Sequence, residues 1–172
     1  MVVATPETVD LPVASPAAPQ DGGGEHGEGR LVAEDDDGGA DMVVPGDDEI
    51  DLEELTFDFE FFCEKNPDYR GRGREAVRRE WRNLVGQGMW GSPVFNVKYY
   101  LETRKDLQNR LGPDNYRGAY EYFLGHCEED TPTSSMFSWA RYRKAYPDLA
   151  SYTPKGCFWH YMHKGRHQHR IG

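Results

Sequence analysis

A short motif of aromatic and capping residues recurs three times in the second part of the chain. Each copy has a phenylalanine, then a residue with a short polar side chain, and an aromatic residue four positions later. The sets are Phe57, Asp58 and Phe62; Phe95, Asn96 and Tyr100; and Phe137, Ser138 and Tyr142. A short side-chain oxygen caps the first turn of a helix, and apolar residues just before the cap and four after it form a hydrophobic staple. The pattern therefore predicts three helix starts.

Each motif is followed by a second run of apolar residues at helical spacing. The runs end near Gly88, near Gly125 with His126, and near Gly165. Glycine just past the last apolar residue is typical of a left-handed helix stop, so we expect such a stop in each copy. In the third run, Thr153 and Pro154 are the expected N-cap and first helical residue.

The motifs start 38 and 42 residues apart, a spacing typical of two-helix repeats. The sequence therefore predicts an all-α fold with three helical hairpins, at 57–94, 95–136 and 137–172. Six helices are expected, at 58–66, 74–87, 96–111, 114–125, 138–146 and 154–164. Asn66 and Tyr146 end their helices because each precedes a proline. The second copy has Lys105 instead of that proline, so its first helix is expected to continue to Leu111.

Charge divides the chain into two parts, although its overall net charge is −10. Residues 1–56 contain 16 acidic residues, one basic residue and no aromatic residue. Residues 57–172 contain 14 acidic residues, 19 basic residues and all 22 aromatic residues. A segment that is acidic and poor in apolar side chains cannot offset the entropy of ordering its backbone. We therefore expect a disordered acidic tail at 1–54 and a helical-repeat domain at 55–172.

The sequence excludes several classes of protein. It has no run of about 18 apolar residues that could cross a membrane, and its N-terminus lacks the features of a secretory signal. Its three cysteines are widely spaced and form no CxxC motif, which favours a reduced intracellular, cytoplasmic protein. It also lacks a nucleophile elbow, a phosphate-binding loop and an HExxH motif. We therefore predict no cofactor and favour a non-enzyme, while scattered catalytic residues stay an alternative.

Three stretches carry a resemblance to a known class of repeat. They are Phe95 to Leu107, Asn66-Pro67-Asp68, and His160-Tyr161 followed by Gly165. Together they resemble the short helical-hairpin repeats of bacterial and algal proteins that often flank glycosyltransferase or cell-surface domains. The resemblance covers about residues 57–170. It implies a binding or scaffolding accessory and carries over no catalytic site.

The C-terminal stretch combines basic and aromatic residues. Residues 141–172 contain seven basic residues and one acidic residue. Basic residues among aromatic ones can bind single-stranded nucleic acid through phosphate contacts and base stacking. The candidate polyanion-binding residues are Arg141, Lys144, Lys164, Arg166 and Arg170. The alternative, which we favour, is that the aromatic residues form the core and the charges solvate the outer face.

Histidines near Cys157 are the only candidate metal ligands that the sequence suggests. They are His160, His163, His167 and His169. On a helix, the pairs 160/163 and 163/167 each share a face, so metal binding through two ligands is sterically possible. We favour a polar helix end with no metal site, because Gly165 is expected to end the helix between His163 and His167.

The leading functional prediction is a non-catalytic protein-interaction or scaffold module whose partner is another protein. The first alternative is a nucleic-acid or polyanion binder that uses the basic C-terminal face and is modulated by the acidic tail. A weaker alternative, suggested by the resemblance, is an accessory to a carbohydrate-active enzyme. The oligomeric state stays open.

Overall fold

The three predicted capping residues each begin a helix in the computed structural model, which describes residues 43–172. The Asp58 carboxylate accepts the N–H of Phe61 at 2.8 Å. The Asn96 side-chain oxygen accepts the N–H of Tyr99 at 3.2 Å, and the Ser138 hydroxyl accepts that of Arg141 at 3.4 Å. These bonds satisfy backbone donors that have no partner within the helix.

The predicted staples are also present, with nearly identical geometry in all three copies. The ring centroids are 5.6 Å apart in the pair Phe57–Phe62, 5.7 Å in Phe95–Tyr100 and 5.6 Å in Phe137–Tyr142. The interplanar angles are 53°, 51° and 51° in the same order. This agreement confirms the register in which the motifs were aligned.

The described residues are helical and contain no β-strand, only an isolated bridge between Ser92 and Phe95. The helices are α1 (Leu52–Leu55), α2 (Phe59–Lys65), α3 (Arg74–Gly86), α4 (Val97–Thr103), α5 (Lys105–Leu111), α6 (Tyr116–Gly125), α7 (Trp139–Ala145) and α8 (Pro154–His160). Short 3-10 turns follow α2 and α7, at Pro67–Tyr69 and Pro147–Leu149, and a π-helical turn at Tyr161–Gly165 follows α8. In the part of the chain from 43 to 172, no helix is long and apolar enough to cross a membrane.

The predicted helix at 96–111 is wrong, because the chain breaks at Arg104. This residue has φ −109° and ψ 84°, which separates α4 from α5. The side-chain amide of Gln108 donates to the carbonyl oxygens of Leu101 and Glu102 at 2.8 and 3.1 Å. It thereby replaces backbone donors that a continuous helix would have supplied, so the second copy bends where the other two have proline.

The expected glycine stop occurs in only one copy. Gly88 has φ +83°, and its N–H donates to Val85 at 2.9 Å while the N–H of Met89 donates to Leu84 at 3.1 Å. These two bonds form a Schellman motif. The prediction is wrong for Gly125 and Gly165, neither of which has a positive φ.

The expected end of the acidic tail at residue 54 is also wrong, since residues 43–54 belong to the folded unit. Asp51 caps α1 by accepting the N–H of Glu53 at 2.9 Å. Ile50, Leu52 and Leu55 are each at least nine-tenths buried. Apolar anchors at this spacing bury enough surface to order a segment whose average composition is acidic. The disorder predicted for residues 1–42 lies outside the described residues.

The head phenylalanine of each copy packs on the second helix of the same hairpin. Phe95 stacks on Phe123 with centroids 4.3 Å apart, and Phe137 lies 5.0 Å from Phe158. Phe123 also contacts Phe158 at 5.7 Å, which joins the cores of the second and third copies. The three hairpins therefore share one aromatic core.

Replacing Phe95 with Ala should destabilise the unit strongly, because the ring is 1% exposed and contacts several other rings. The expected loss in the free energy of unfolding is about 3–5 kcal/mol, measured by denaturant titration. Lys98→Ala, at an exposed position one turn away, should cost no more than about 0.5 kcal/mol. Equal losses for Phe95→Ala and Lys98→Ala would contradict the prediction that the Phe95 staple stabilises the unit.

Candidate functional site

Three of the five predicted polyanion-binding residues make contacts within the unit. Arg141 donates to the carbonyl oxygen of Gly172 from Nε at 2.8 Å and from Nη2 at 2.5 Å. Arg170 pairs with Asp148 at 2.8 Å and lies over the ring of Tyr146, 4.7 Å from its centroid. Through these two arginines, residues 170–172 bind to α7 and to the turn after it.

Arg166 connects the third copy to the first. Its guanidinium pairs with the second carboxylate oxygen of Asp58, the residue whose first oxygen caps α2. The Asp58 side chain is only 14% exposed. Arg166 is therefore part of the fold and also supports the first cap.

Lys144 and Lys164 are the remaining two candidates, and neither makes an ion pair within residues 43–172. Lys144 is exposed and Lys164 is half-buried. Over the whole described range, 19 Lys and Arg residues face 20 Asp and Glu residues. The basic excess seen in residues 57–172 is thus balanced by six acids at 47–54. Polyanion binding by the five residues stays a prediction.

The histidines of the C-terminal stretch serve different structural roles. His160 is buried, and its Nδ1 lies 2.9 Å from the hydroxyl oxygen of Tyr142. Burial lowers the pKa of His160 and raises that of Tyr142, so both side chains stay neutral and the hydroxyl can donate to Nδ1. His163 instead stacks on Trp159, with ring centroids 4.4 Å apart. No group of three or more potential metal ligands occurs among residues 43–172.

Gly165 leaves space for the hydroxyl of Tyr142. A Cβ atom at this position would lie 2.0 Å from that oxygen, far inside contact distance. The backbone passes it as a π turn, in which the N–H of Arg166 donates to the carbonyl of Tyr161 at 3.0 Å. The predicted helix at 154–164 therefore ends as an α-helix at His160. The His-Tyr-x-x-x-Gly stretch thus has a packing role in this chain.

A polar cluster around Arg104 was not predicted from the sequence. The Arg104 side chain is 12% exposed and binds Asp106 through two bonds of 2.8 and 2.6 Å. It also donates to Glu129 at 2.5 Å, and Glu129 accepts the hydroxyl of Tyr122 at 2.8 Å. A hydrogen bond from Arg104 lowers the pKa of the Asp106 carboxyl to about 2.

This cluster joins the second hairpin to the connector that leads to the third. The carbonyl of Glu129 accepts the indole N–H of Trp139 at 3.0 Å. The missing proline after Arg104 was the only signal of this cluster in the sequence. Glu129, which pairs with Arg104, lies 25 residues further along the chain, so no local pattern links the two. All the polar groups named here have partners, so the cluster stabilises the connector.

The third copy also binds a non-helical segment from the start of the described chain. We call residues 43–51 the strap. The hydroxyl of Thr153 donates to the carboxylate of Asp47 at 2.5 Å, and Lys155 donates to the Asp47 carbonyl at 3.4 Å. Ile50 is the only buried side chain of the strap, so most of this segment lies on the surface.

The surface under the strap is a groove lined by Ser151, Tyr152, Thr153 and Gly156, and a cavity of about 370 Å³ lies between these residues and the strap. Gly156 lies beside Val44 in this strap groove: a Cβ there would be 3.6 Å from a methyl carbon of Val44, an ordinary contact distance, and 3.2 Å from the Thr153 hydroxyl oxygen. The groove therefore offers an apolar contact at Gly156 beside the Thr153 hydroxyl and the Lys155 ammonium group. That combination suits a segment with a small apolar residue followed by a carboxylate.

Comparison with known proteins assigns no relative to this chain. No family model matches it, and neither a curated protein nor a solved structure matches it. The resemblance to helical-hairpin repeats stays a prediction.

Gly165→Ala should destabilise the unit, because its Cβ would overlap the hydroxyl of Tyr142. We expect a loss of about 1–3 kcal/mol in the free energy of unfolding. Tyr142→Phe should cost about 1–3 kcal/mol in the natural chain, since His160 loses its partner. In the Gly165→Ala chain the same change should instead restore stability.

The measurement is a double-mutant cycle by denaturant unfolding. Gly125→Ala is the matched control, since a Cβ there meets nothing within 4 Å. An equal cost of Tyr142→Phe in both backgrounds would show that the close approach does not determine the choice of glycine.

The five basic candidates should separate into two groups when substituted. Arg166→Ala leaves the largely buried Asp58 without its cation and should cost about 1–3 kcal/mol. Lys144→Ala with Lys164→Ala should leave stability within about 0.5 kcal/mol per site and should lower the salt concentration at which the full chain elutes from heparin. Unchanged elution of the double lysine variant would remove these two residues from any polyanion site.

Proposed function

We propose that the chain is a non-catalytic helical-repeat module that binds other proteins, and that the strap groove on its third copy is the docking surface. The observation that carries this proposal is that the groove already holds a non-helical segment. Val44 lies beside Gly156, the carboxylate of Asp47 accepts the Thr153 hydroxyl, and the Asp47 carbonyl accepts Lys155. A groove that holds such a segment from its own chain has the chemistry to hold one from another protein.

Two further features support this proposal. The strap leaves a cavity of about 370 Å³ along the groove, which is room for larger side chains than its own. The aromatic core and the polar clusters around Arg104 and Tyr142 give the module a rigid frame. A rigid surface loses little entropy when it binds a partner segment. The resemblance to accessory repeats agrees with a binding role.

The strap itself should act as a competitor for the groove. It is tethered directly to α1, so its effective concentration at the groove is high, on the order of millimolar or above. A free segment of similar chemistry can bind well only when the strap contacts are weakened. This competition provides the test of the proposed function.

The experiment uses three full-length chains and a fluorescent peptide with the sequence of residues 43–52. The strap variant Val44→Ser/Asp47→Ala removes the apolar contact of Val44 at Gly156 and the carboxylate that accepts the Thr153 hydroxyl. The matched control Val43→Ser/Asp48→Ala makes the same substitutions at adjacent exposed positions. We expect the strap variant to bind the peptide at least about tenfold more tightly than the natural chain or the control. Equal binding, or none, in all three chains would contradict the groove as a docking surface.

A further inference from the structure

A buried histidine and a buried tyrosine share one hydrogen bond in the third copy. His160 is the last residue of α8 and is 4% exposed, and Tyr142 on α7 is fully buried. Nδ1 of His160 lies 2.9 Å from the hydroxyl oxygen of Tyr142. Among residues 43–172 this is the one hydrogen bond that the hydroxyl makes, and it joins the two helices of the hairpin directly.

The partners of this pair determine which nitrogen of the imidazole carries a hydrogen. The Tyr142 hydroxyl has one hydrogen to donate, and Nδ1 of His160 is the acceptor within reach. A neutral imidazole has one donor nitrogen and one acceptor nitrogen. Nδ1 is therefore the acceptor, Nε2 carries the hydrogen, and a further proton has to add at Nδ1.

A proton at Nδ1 reverses the direction of this hydrogen bond. The new Nδ1–H donates to the oxygen of Tyr142, and the hydrogen of the hydroxyl is left without an acceptor at a buried position. The backbone of Gly165 packs against that oxygen, since a Cβ there would lie 2.0 Å from it. A buried polar group that loses its partner destabilises the fold.

The charged groups around His160 also oppose a further positive charge. Arg170 and Lys164 are the nearby cations, and Asp148 is the nearby anion. The carboxylate of Asp148 already pairs with Arg170 at 2.8 Å. Tyr152, from the loop before α8, contributes an uncharged ring whose centroid is 5.6 Å from that of the imidazole. Burial and the two cations therefore lower the pKa of the His160 imidazole.

We propose that His160 is a pH-sensitive switch in the third copy: the neutral ring joins α7 to α8, and proton uptake at Nδ1 weakens that contact. The switch acts through the hydroxyl of Tyr142, which has an acceptor only while Nδ1 is unprotonated. The inference does not depend on the proposed docking function, because both side chains lie in the hairpin itself.

The switch lies in the helix that borders the strap groove. The first turn of α8 contains Gly156, which lines the groove, and the same helix ends at His160. Tyr152 lines the groove as well, and its ring packs edge to face with the imidazole. Weak acid should therefore loosen the hairpin at the place where it forms the groove.

The direction of the pH dependence follows from the lowered pKa of His160. In the unfolded chain its imidazole takes up a proton near the ordinary value of about 6.5, whereas in the folded chain the same uptake needs a lower pH. The stabilisation is complete above the unfolded value and is lost as the pH falls from there toward the folded pKa. Each pH unit in this window lowers the folding equilibrium constant by up to about tenfold.

The first measurement is an NMR titration of the histidine rings in the full-length chain. The His160 ring should titrate below the ordinary value of about 6.5. Tyr142→Phe should raise the pKa of His160, because it removes the hydrogen bond that favours the neutral ring. A ring that titrates at the ordinary value, or that does not respond to Tyr142→Phe, would overturn the switch.

The second measurement is denaturant unfolding at pH 7.5 and pH 5.5 of three full-length chains. They are the natural chain, His160→Asn, whose side-chain oxygen can accept the Tyr142 hydroxyl without titrating, and the control His163→Asn at an exposed position. From the higher to the lower pH, the folding equilibrium constant of the natural chain and the control should fall about threefold or more beyond that of His160→Asn. An equal fall in all three chains would contradict the proposal. If His160→Asn does not fold, the NMR titration of the natural chain decides.

Discussion

The fold depends on the contact between a phenylalanine and the aromatic residue across the first turn of a capped helix, repeated three times. The cap fixes where the helix begins, and the staple fixes the ring of the preceding phenylalanine against it. The same ring then packs on the second helix of its hairpin, as Phe95 does on Phe123. Each such aromatic pair contributes about 0.5–1.5 kcal/mol beyond its buried area. A local arrangement of six residues therefore sets the geometry of a whole hairpin.

This dependence explains which features could be predicted from the sequence. Caps and staples involve residues within five positions of one another, so their spacing is visible along the chain, and all three were confirmed. The break at Arg104 was missed because it depends on side-chain bonds that no local pattern reveals. The Gln108 amide donates to backbone carbonyls before the break, and Arg104 itself pairs with Glu129. Gly165 was expected as a helix stop, but it is glycine because Tyr142 approaches it from another helix. The binding role of the basic C-terminal residues stays untested, and three of them hold the fold together.

Average composition gave a wrong boundary for the acidic segment. The six acids at 47–54 suggested continued disorder, yet Glu53 and Glu54 pair with Arg82 and Arg78 on α3. Exposed ion pairs of this kind contribute little, with a median near 0–1 kcal/mol. The segment is held mainly by the burial of Ile50, Leu52 and Leu55, each worth about 1.5–3 kcal/mol. Three anchors within six residues outweigh a composition that, averaged over 54 residues, resembles a disordered chain.

The same segment changes the three hairpins from a linear array into a closed unit. In an open repeat protein each copy contacts only its neighbours, and stability is close to a sum of local terms. Here Asp58 pairs with Arg166, and the strap lies on the loop and first turn of α8, so the first and third copies are also joined. The Asp58–Arg166 pair is largely buried, whereas the strap contacts made by Asp47 are exposed and lie outside the aromatic core. Loss of the exposed strap contacts would leave the aromatic core of the hairpins intact, and the proposed exchange of the strap groove's occupant requires this separation.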